Sequence, residues 1–151
     1  MKATEFEVKP REKGGRLLAI DLGAKRVGVA VCDELRITVR PLAVINRRSW
    51  KDLLRQVSGQ IDSVKAQGLV IGLPLNFDGT EGPAAQEARE VADKFRKSLD
   101  IPVYLEDERL TTAEASERLR LDGYEASEIQ RNVDSQAAAI ILQDFIAREQ
   151  P

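Results

Sequence analysis

The chain has 151 residues, 42% hydrophobic and 32% charged, with a net charge of −2, which fits one soluble globular domain and excludes a fibrous or disordered protein. It has no histidine and a single cysteine, Cys32, so Ser-His-Asp and Cys-His catalysis, histidine-containing zinc sites and an intrachain disulfide are all excluded. The longest uncharged stretch, Ala66 to Phe77, has 12 residues, short of the roughly 20 needed to cross a bilayer; with no signal-peptide core at the N-terminus, a cytoplasmic protein without membrane contact is expected.

Residues 1–15 are polar and end in Lys13-Gly14-Gly15, which reads as a flexible leader before a single domain over 16–151. Leu17 to Leu22 is an apolar run carrying Asp21 near its end. After Gly23, Val27 to Cys32 alternates small and β-branched residues, so two strands joined by a tight turn are predicted. Thr38 to Ile45 is a third strand, which Pro41 confines to an edge or a bulge. From Ser49, the residues Trp50, Leu53, Leu54, Val57, Ile61 and Val64 recur at helical spacing, and this helix ends by Gly68. Leu69 to Leu73 has the fully apolar character of a buried parallel strand, and a Pro-, Gly- and Asn-rich loop follows from Pro74 to Gly82.

Pro83 opens a second helix with a buried stripe of Ala84, Ala88, Val91, Ala92, Phe95 and Leu99. Ile101 to Leu105 is the next strand, delivering Glu106, Asp107 and Glu108 at its carboxyl end. Thr111 to Glu114 has the form of a capping box and opens a helix that stops near Gly123; Ser127 with Gln130 repeats that form and starts a final helix running through Asp134 to Arg148. This order predicts an α/β fold with a mixed five-stranded sheet, three antiparallel strands first and parallel crossovers after, flanked by helices. Too few residues separate the first three strands for a purely parallel doubly wound sheet.

Charge is unevenly spread: residues 1–60 hold 13 Lys or Arg and 7 acids, residues 61–151 hold 10 and 18. The basic clusters at Lys25-Arg26, Arg36, Arg40, Arg47-Arg48, Lys51 and Arg55 are either a solvated surface with helical ion pairs or a local phosphate-binding face.

Three acidic positions break the local pattern. Asp21 lies inside an apolar strand, where a carboxylate is costly unless paired or bound to a cation; its plain alternative is a turn residue before Gly23. Glu106, Asp107 and Glu108 repel one another unless a cation is near, or they are a solvated strand end. On a continuous helix, Asp134 shares a face with Ala138, Ile141 and Phe145, or it is the N-cap of a helix beginning at Ser135. Brought together at the carboxyl ends of neighbouring strands, these acids would make an oxygen-only site suited to Mg²⁺ or Mn²⁺. Two such ions can drive phosphodiester hydrolysis without histidine.

Four ordered segments, Asp21-Leu22-Gly23-Ala24-Lys25-Arg26-Val27-Gly28-Val29-Ala30, Gly72-Leu73-Pro74-Leu75-Asn76-Phe77-Asp78-Gly79-Thr80-Glu81-Gly82, Asp107-Glu108-Arg109-Leu110-Thr111-Thr112-Ala113-Glu114-Ala115 and Val133-Asp134-Ser135-Gln136-Ala137-Ala138, resemble the motifs of the YqgF/RuvX family. These are RNase H-like proteins described as pre-16S rRNA nucleases and Holliday junction resolvase-like enzymes. The resemblance spans roughly residues 16 to 148. It implies an RNase H-like fold and a metal-binding, catalytic set of Asp21, Glu108 and Asp134, with Asp107 as second choice. It also implies substrate contacts from Lys25, Arg26, Asn76 and Arg109, the three cations meeting phosphate.

The chain departs from the family pattern at Glu106, where relatives carry a large aromatic residue. It departs again before Asp134, where residues 124–132 keep only Arg131 from a commonly basic segment. Both changes add negative charge, or remove positive charge, near the implied site.

The resulting expectation is a divalent-metal-dependent endonuclease, holding two Mg²⁺ or Mn²⁺ ions, that acts on structured nucleic acid. Processing of the 5′ end of pre-16S rRNA in ribosome biogenesis stands ahead of resolving branched DNA in recombination and repair. A resolvase would be a homodimer, because one four-way junction needs two sites. A catalytically silent nucleic-acid-binding module is the remaining alternative. A two-domain ATPase of the actin and sugar-kinase type is excluded by length.

Overall fold

The computed structural model describes residues 14–108 and 126–149, the last helix with its side chains from Ser135 onward. The elements are β1 Leu17–Leu22, β2 Arg26–Cys32, β3 Val39–Asn46, α1 Trp50–Val64, β4 Gly68–Pro74, α2 Pro83–Ser98, β5 Val103–Glu108 and α3 Ala126–Glu149. They form a five-stranded sheet in the order β3-β2-β1-β4-β5. β1, β2 and β3 pair antiparallel, and β4 and β5 add parallel to β1, which is the mixed α/β arrangement read from the sequence.

Helices cover both faces, so β1 and β4 are apolar on both sides. On one face Leu18, Ile20, Val29, Leu69 and Ile71 pack against Leu53, Val57 and Ile61 of α1 and Val91, Ala92 and Phe95 of α2. Trp50 closes this layer with its ring centroid 4.8 Å from that of Phe95. On the other face Leu17, Ala19 and Val70 pack against Ile141, Leu142, Phe145 and Ile146 of α3.

Local signals explain most boundaries. The Ser49 hydroxyl accepts from the Asp52 N–H at 3.1 Å and caps α1; Pro83 stands in the first turn of α2. Pro41 lies on β3, which is both an edge strand and irregular, because the β2–β3 register shifts between Val27 and Val29.

Three expectations are corrected. The first turn of α2 buries Ala85, packed with Ala88 on Leu73, and leaves Ala84 exposed. β5 starts later than Ile101 and continues through Glu108, because pairing with β4 persists from Gly72↔Glu106 to Pro74↔Glu108. The final helix is one 24-residue run from Ala126, so Asp134 lies well inside it and is not an N-cap. The helix expected over Thr111 to Gly123 and the leader up to residue 13 fall outside the described residues.

α3 is pinned to the sheet by a buried polar contact as well as by its apolar stripe. Beside the β2–β3 irregularity the Val29 N–H donates to the fully buried Ser135 hydroxyl at 3.2 Å. Replacing Ser135 by Ala leaves that N–H buried without its acceptor and is expected to lower stability by about 1–3 kcal/mol. Denaturant unfolding checks this, and an unchanged midpoint would show that the contact contributes nothing.

Candidate active site

Strand alternation sets the geometry. Leu17 and Ala19 face α3, so Asp21, the next residue of the same phase, lies on that face at the carboxyl end of β1. The parallel register pairs Ile20 with Ile71, and one further step sets Asp21 beside Gly72. Across β4 from Gly72 is β5, whose Glu108 reaches back: its Oε2 lies 3.5 Å from where a Cβ on residue 72 would stand. Two carboxylates therefore stand on one face of the sheet, on the strands either side of a residue with no side chain. The same virtual Cβ would come within 2.5 Å of the Ile141 Cδ1, so glycine is what allows α3 to lie this low over the acids. Asp107 has the opposite phase, pairing with Leu73 whose side chain packs on α2, and is exposed.

The backbone of α3 carries position 134 over the same region. Ser135, its immediate neighbour, meets Val29, and Val29 follows Gly28, the residue directly opposite Asp21 in the β1–β2 ladder. Position 134 also continues the helical row of Ala138, Ile141 and Phe145, all buried. Among the described residues no three acids or thiols gather into a metal-holding group, and the Asp134 side chain is outside that set. The donors at this end of the sheet are carboxylate oxygens, while Cys32 lies at the opposite end, its Sγ accepting from the Leu17 N–H. Such a donor set fits a hard cation, Mg²⁺ or Mn²⁺, better than zinc, which favours nitrogen and sulfur ligands.

The turn after Asp21 is built around Gly23. Its N–H donates to the Arg26 carbonyl at 2.9 Å, and a Cβ there would lie 2.5 Å from that oxygen, so this is a turn that no other residue fits. It leaves Lys25 and Arg26 exposed beside the acids.

In the sequence Arg47 is only one member of a basic cluster, but in the fold it braces this turn. Its N–H donates to the Lys25 carbonyl at 2.8 Å, and its guanidinium bonds the Gly23 carbonyl at 2.9 Å and Glu87 of α2. The basic first third is thus not one phosphate-binding face. Arg55 pairs with Asp52 within α1, and Arg36, at the far end, holds the Gly15 carbonyl and Glu149. The sequence places Arg47 in a basic cluster and Ser135 in the last motif but shows the role of neither, because each acts on a backbone group brought near only by folding.

Asn76 sits in the loop after β4, its Nδ2 donating to the Thr80 Oγ1 at 2.9 Å. Arg109 lies outside the described residues. Glu106, expected to add charge beside the site, is buried and bonded to Arg148 near the end of α3. Burial pushes its carboxyl above the usual range, with the Arg148 guanidinium pulling against that rise. Its charge is opposed within the fold and is not left facing the site.

The family model described as RuvX, Holliday junction resolvase, matches residues 15–148. A relative from Anaeromyxobacter sp. strain K, named "Putative pre-16S rRNA nuclease", is 43% identical over 90% of this chain and 99% of its own. A relative of the same name from Pelagibacter ubique is 37% identical over 94% and 93%. Among solved structures, Thermus thermophilus RuvC in complex with a Holliday junction superposes with a TM-score of 0.56 at 18% identity, covering 89% of this chain and 96% of that one. The fowlpox virus Holliday junction resolvase gives 0.55 at 14%, covering 89% and 99%. At these identities the structures speak for a shared fold.

Gly72→Ala should collide with Ile141 and destabilise the protein by about 1–3 kcal/mol. Adding Ile141→Val, which removes the colliding Cδ1, should recover a large part of that loss. Unfolding of both variants and of Ile141→Val alone checks the coupling; additive losses would place the strain elsewhere.

Proposed function

This chain belongs to the RuvX family and is a hydrolytic nuclease, and we propose that it trims the 5′ end of the 16S rRNA precursor with divalent cations held by Asp21, Glu108 and Asp134. The observation that carries this reading is the pair Asp21 and Glu108 on one face of the sheet, either side of Gly72, beneath the helix that bears Asp134. The named relatives, 37–43% identical over nearly their whole length, support pre-16S rRNA as the substrate.

Bound there, two such ions would activate water and stabilise the leaving oxygen of a phosphodiester. The chain's own residues do the rest. The three carboxylates fix where cations sit; Asp21 and Glu108 stand on paired strands, and the third belongs to a residue well inside α3. The turn braced by Arg47 presents Lys25 and Arg26 to the phosphates flanking the cut, with Arg109 as a third cation that follows Glu108 directly. α3 covers the sheet up to the acids and keeps bulk water from their buried side. Among the described residues no helix is long and apolar enough to cross a membrane.

The family description and the resolvase likeness keep branched DNA as a second reading. It requires two sites on one junction, so a stable symmetric dimer that cuts four-way DNA faster than rRNA precursor would favour it.

Asp21→Asn, Glu108→Gln and Asp134→Asn should each reduce cleavage by roughly 10²-fold or more with saturating Mn²⁺, and any pair should add little to the worse single loss, as for groups that act as one unit. Because Asp134 lies inside α3, Asp134→Ala should show none of the roughly 1 kcal/mol loss expected of a removed N-cap. Chelation should abolish wild-type cleavage. Full activity of Asp134→Asn would remove that residue from the set.

Binding should also weaken with salt, and less steeply once Lys25 and Arg26 are both replaced by Gln, since a phosphate that no cation neutralises keeps its counterions. Identical salt slopes for wild type and the double variant would show that neither residue meets phosphate.

A further inference from the structure

Phe77 is 87% exposed, on a loop that is otherwise fully tied down. Leu75 and Glu81 bridge across its base. The Asn76 N–H donates to the Thr80 carbonyl at 2.9 Å and the Gly79 N–H to the Asn76 carbonyl at 2.9 Å. The Asp78 carboxylate accepts from both the Thr80 N–H at 3.0 Å and its hydroxyl at 2.6 Å. The ring is thus held out on a small preorganised scaffold, which leaves little conformational freedom to lose when something binds it. The loop is rooted at the candidate site, since the Leu75 N–H donates to the carbonyl of Glu108 at 3.2 Å.

The chemistry around the ring selects its ligand. Asp78 is taken up inside the loop, and Glu81 is held by a two-pronged bond to Arg89. Both are nonetheless anionic and set against a phosphate at the tip, so the loop offers an aromatic face beside negative charge. An uncharged, flat, polarisable group suits that surface, and on a nucleic acid this is the base. The exposed cations Lys25 and Arg26 lie on the other side of the acids, beyond β1 in a sheet where Phe77 follows β4.

We propose that Phe77 is a stacking platform for an unpaired nucleobase next to the scissile phosphodiester, so that the enzyme cuts where a strand leaves a duplex. This deepens the nuclease reading and rests on it. A base inside a continuous duplex has both faces covered and cannot use the ring.

The test measures binding, with chelator present to prevent cleavage, of two RNAs: a hairpin with a single-stranded 5′ extension carrying 2-aminopurine, and the same hairpin without the extension. Phe77→Leu and Phe77→Ala should weaken binding of the extended RNA by about 5- to 100-fold and leave the blunt hairpin unaffected. Phe77→Trp should bind at least as well as wild type, and the quenching of 2-aminopurine seen with wild type and Trp should vanish with Leu. A Leu variant that binds and quenches like wild type overturns stacking, and so does weak binding by Ala alone, which would mark a plain apolar contact such as a protein partner makes. Cleavage in Mn²⁺ separates the two levels. A wild type that cuts the extended RNA, with Leu indistinguishable, sinks only the stacking, whereas a wild type that neither binds nor cuts either RNA sinks the RNA-processing reading and the stacking with it.

Discussion

The central strand β1 is hydrogen-bonded along both edges and covered on both faces, and that constraint decides where this protein can carry charge. A carboxylate midway along such a strand would lose its water without a partner. At the carboxyl end the cover is incomplete, so Asp21 faces α3 and is only half-buried, which leaves its carboxylate some access to solvent. The parallel strands β4 and β5 end on the same side, so Glu108 arrives at the same edge. The site follows from the layer architecture, in agreement with the general tendency of open α/β sheets to place ligands beyond the carboxyl ends of their strands.

Much of this is legible in the sequence. Pro41 marks the edge strand, the short intervals between the first three strands rule out crossovers, and Asp21 stands out against its apolar neighbours. What escapes are effects that depend on register and on contacts across the chain. A sequence window cannot tell whether Glu106 or Glu108 shares the phase of Asp21's face, since both do; what differs is that Arg148, far away in sequence, bonds one of them. Asp134 reads equally as cap or as interior residue, because the segment before it has helical polar residues with no strong breaker. Only the unbroken run from Ala126 separates the two. Gly72 is visible as the first residue of the second motif, but its service as the gap between two carboxylates requires knowing that Ile141 lies above it.

Charge shows the same dependence on distance. The excess of Lys and Arg in the first 60 residues suggests a broad basic surface, yet folding distributes it to several tasks. Arg47 holds carbonyl groups of the turn after Asp21, Arg36 ties the opposite end of the sheet to α3, and Arg55 pairs within its own helix. Composition counts charges; only the fold shows which of them are already engaged.

The irregularity between β2 and β3 also works as a register mark. β3 runs from Leu42 to Ile45 over the interval that β2 covers from Val29 back to Val27, one residue fewer, and the contact that seats α3 is made at that point. The hairpin tip beyond Cys32 and Val39 can lengthen or shorten without disturbing it. Between the irregularity and Asn46, by contrast, the chain is length-intolerant. Loss or gain of one residue there would shift Ile45 and Asn46 against Val27 and Arg26, and would carry Arg47 out of register with the Lys25 carbonyl that it holds. Related sequences should therefore vary freely in length at one end of this hairpin and not at all at the other.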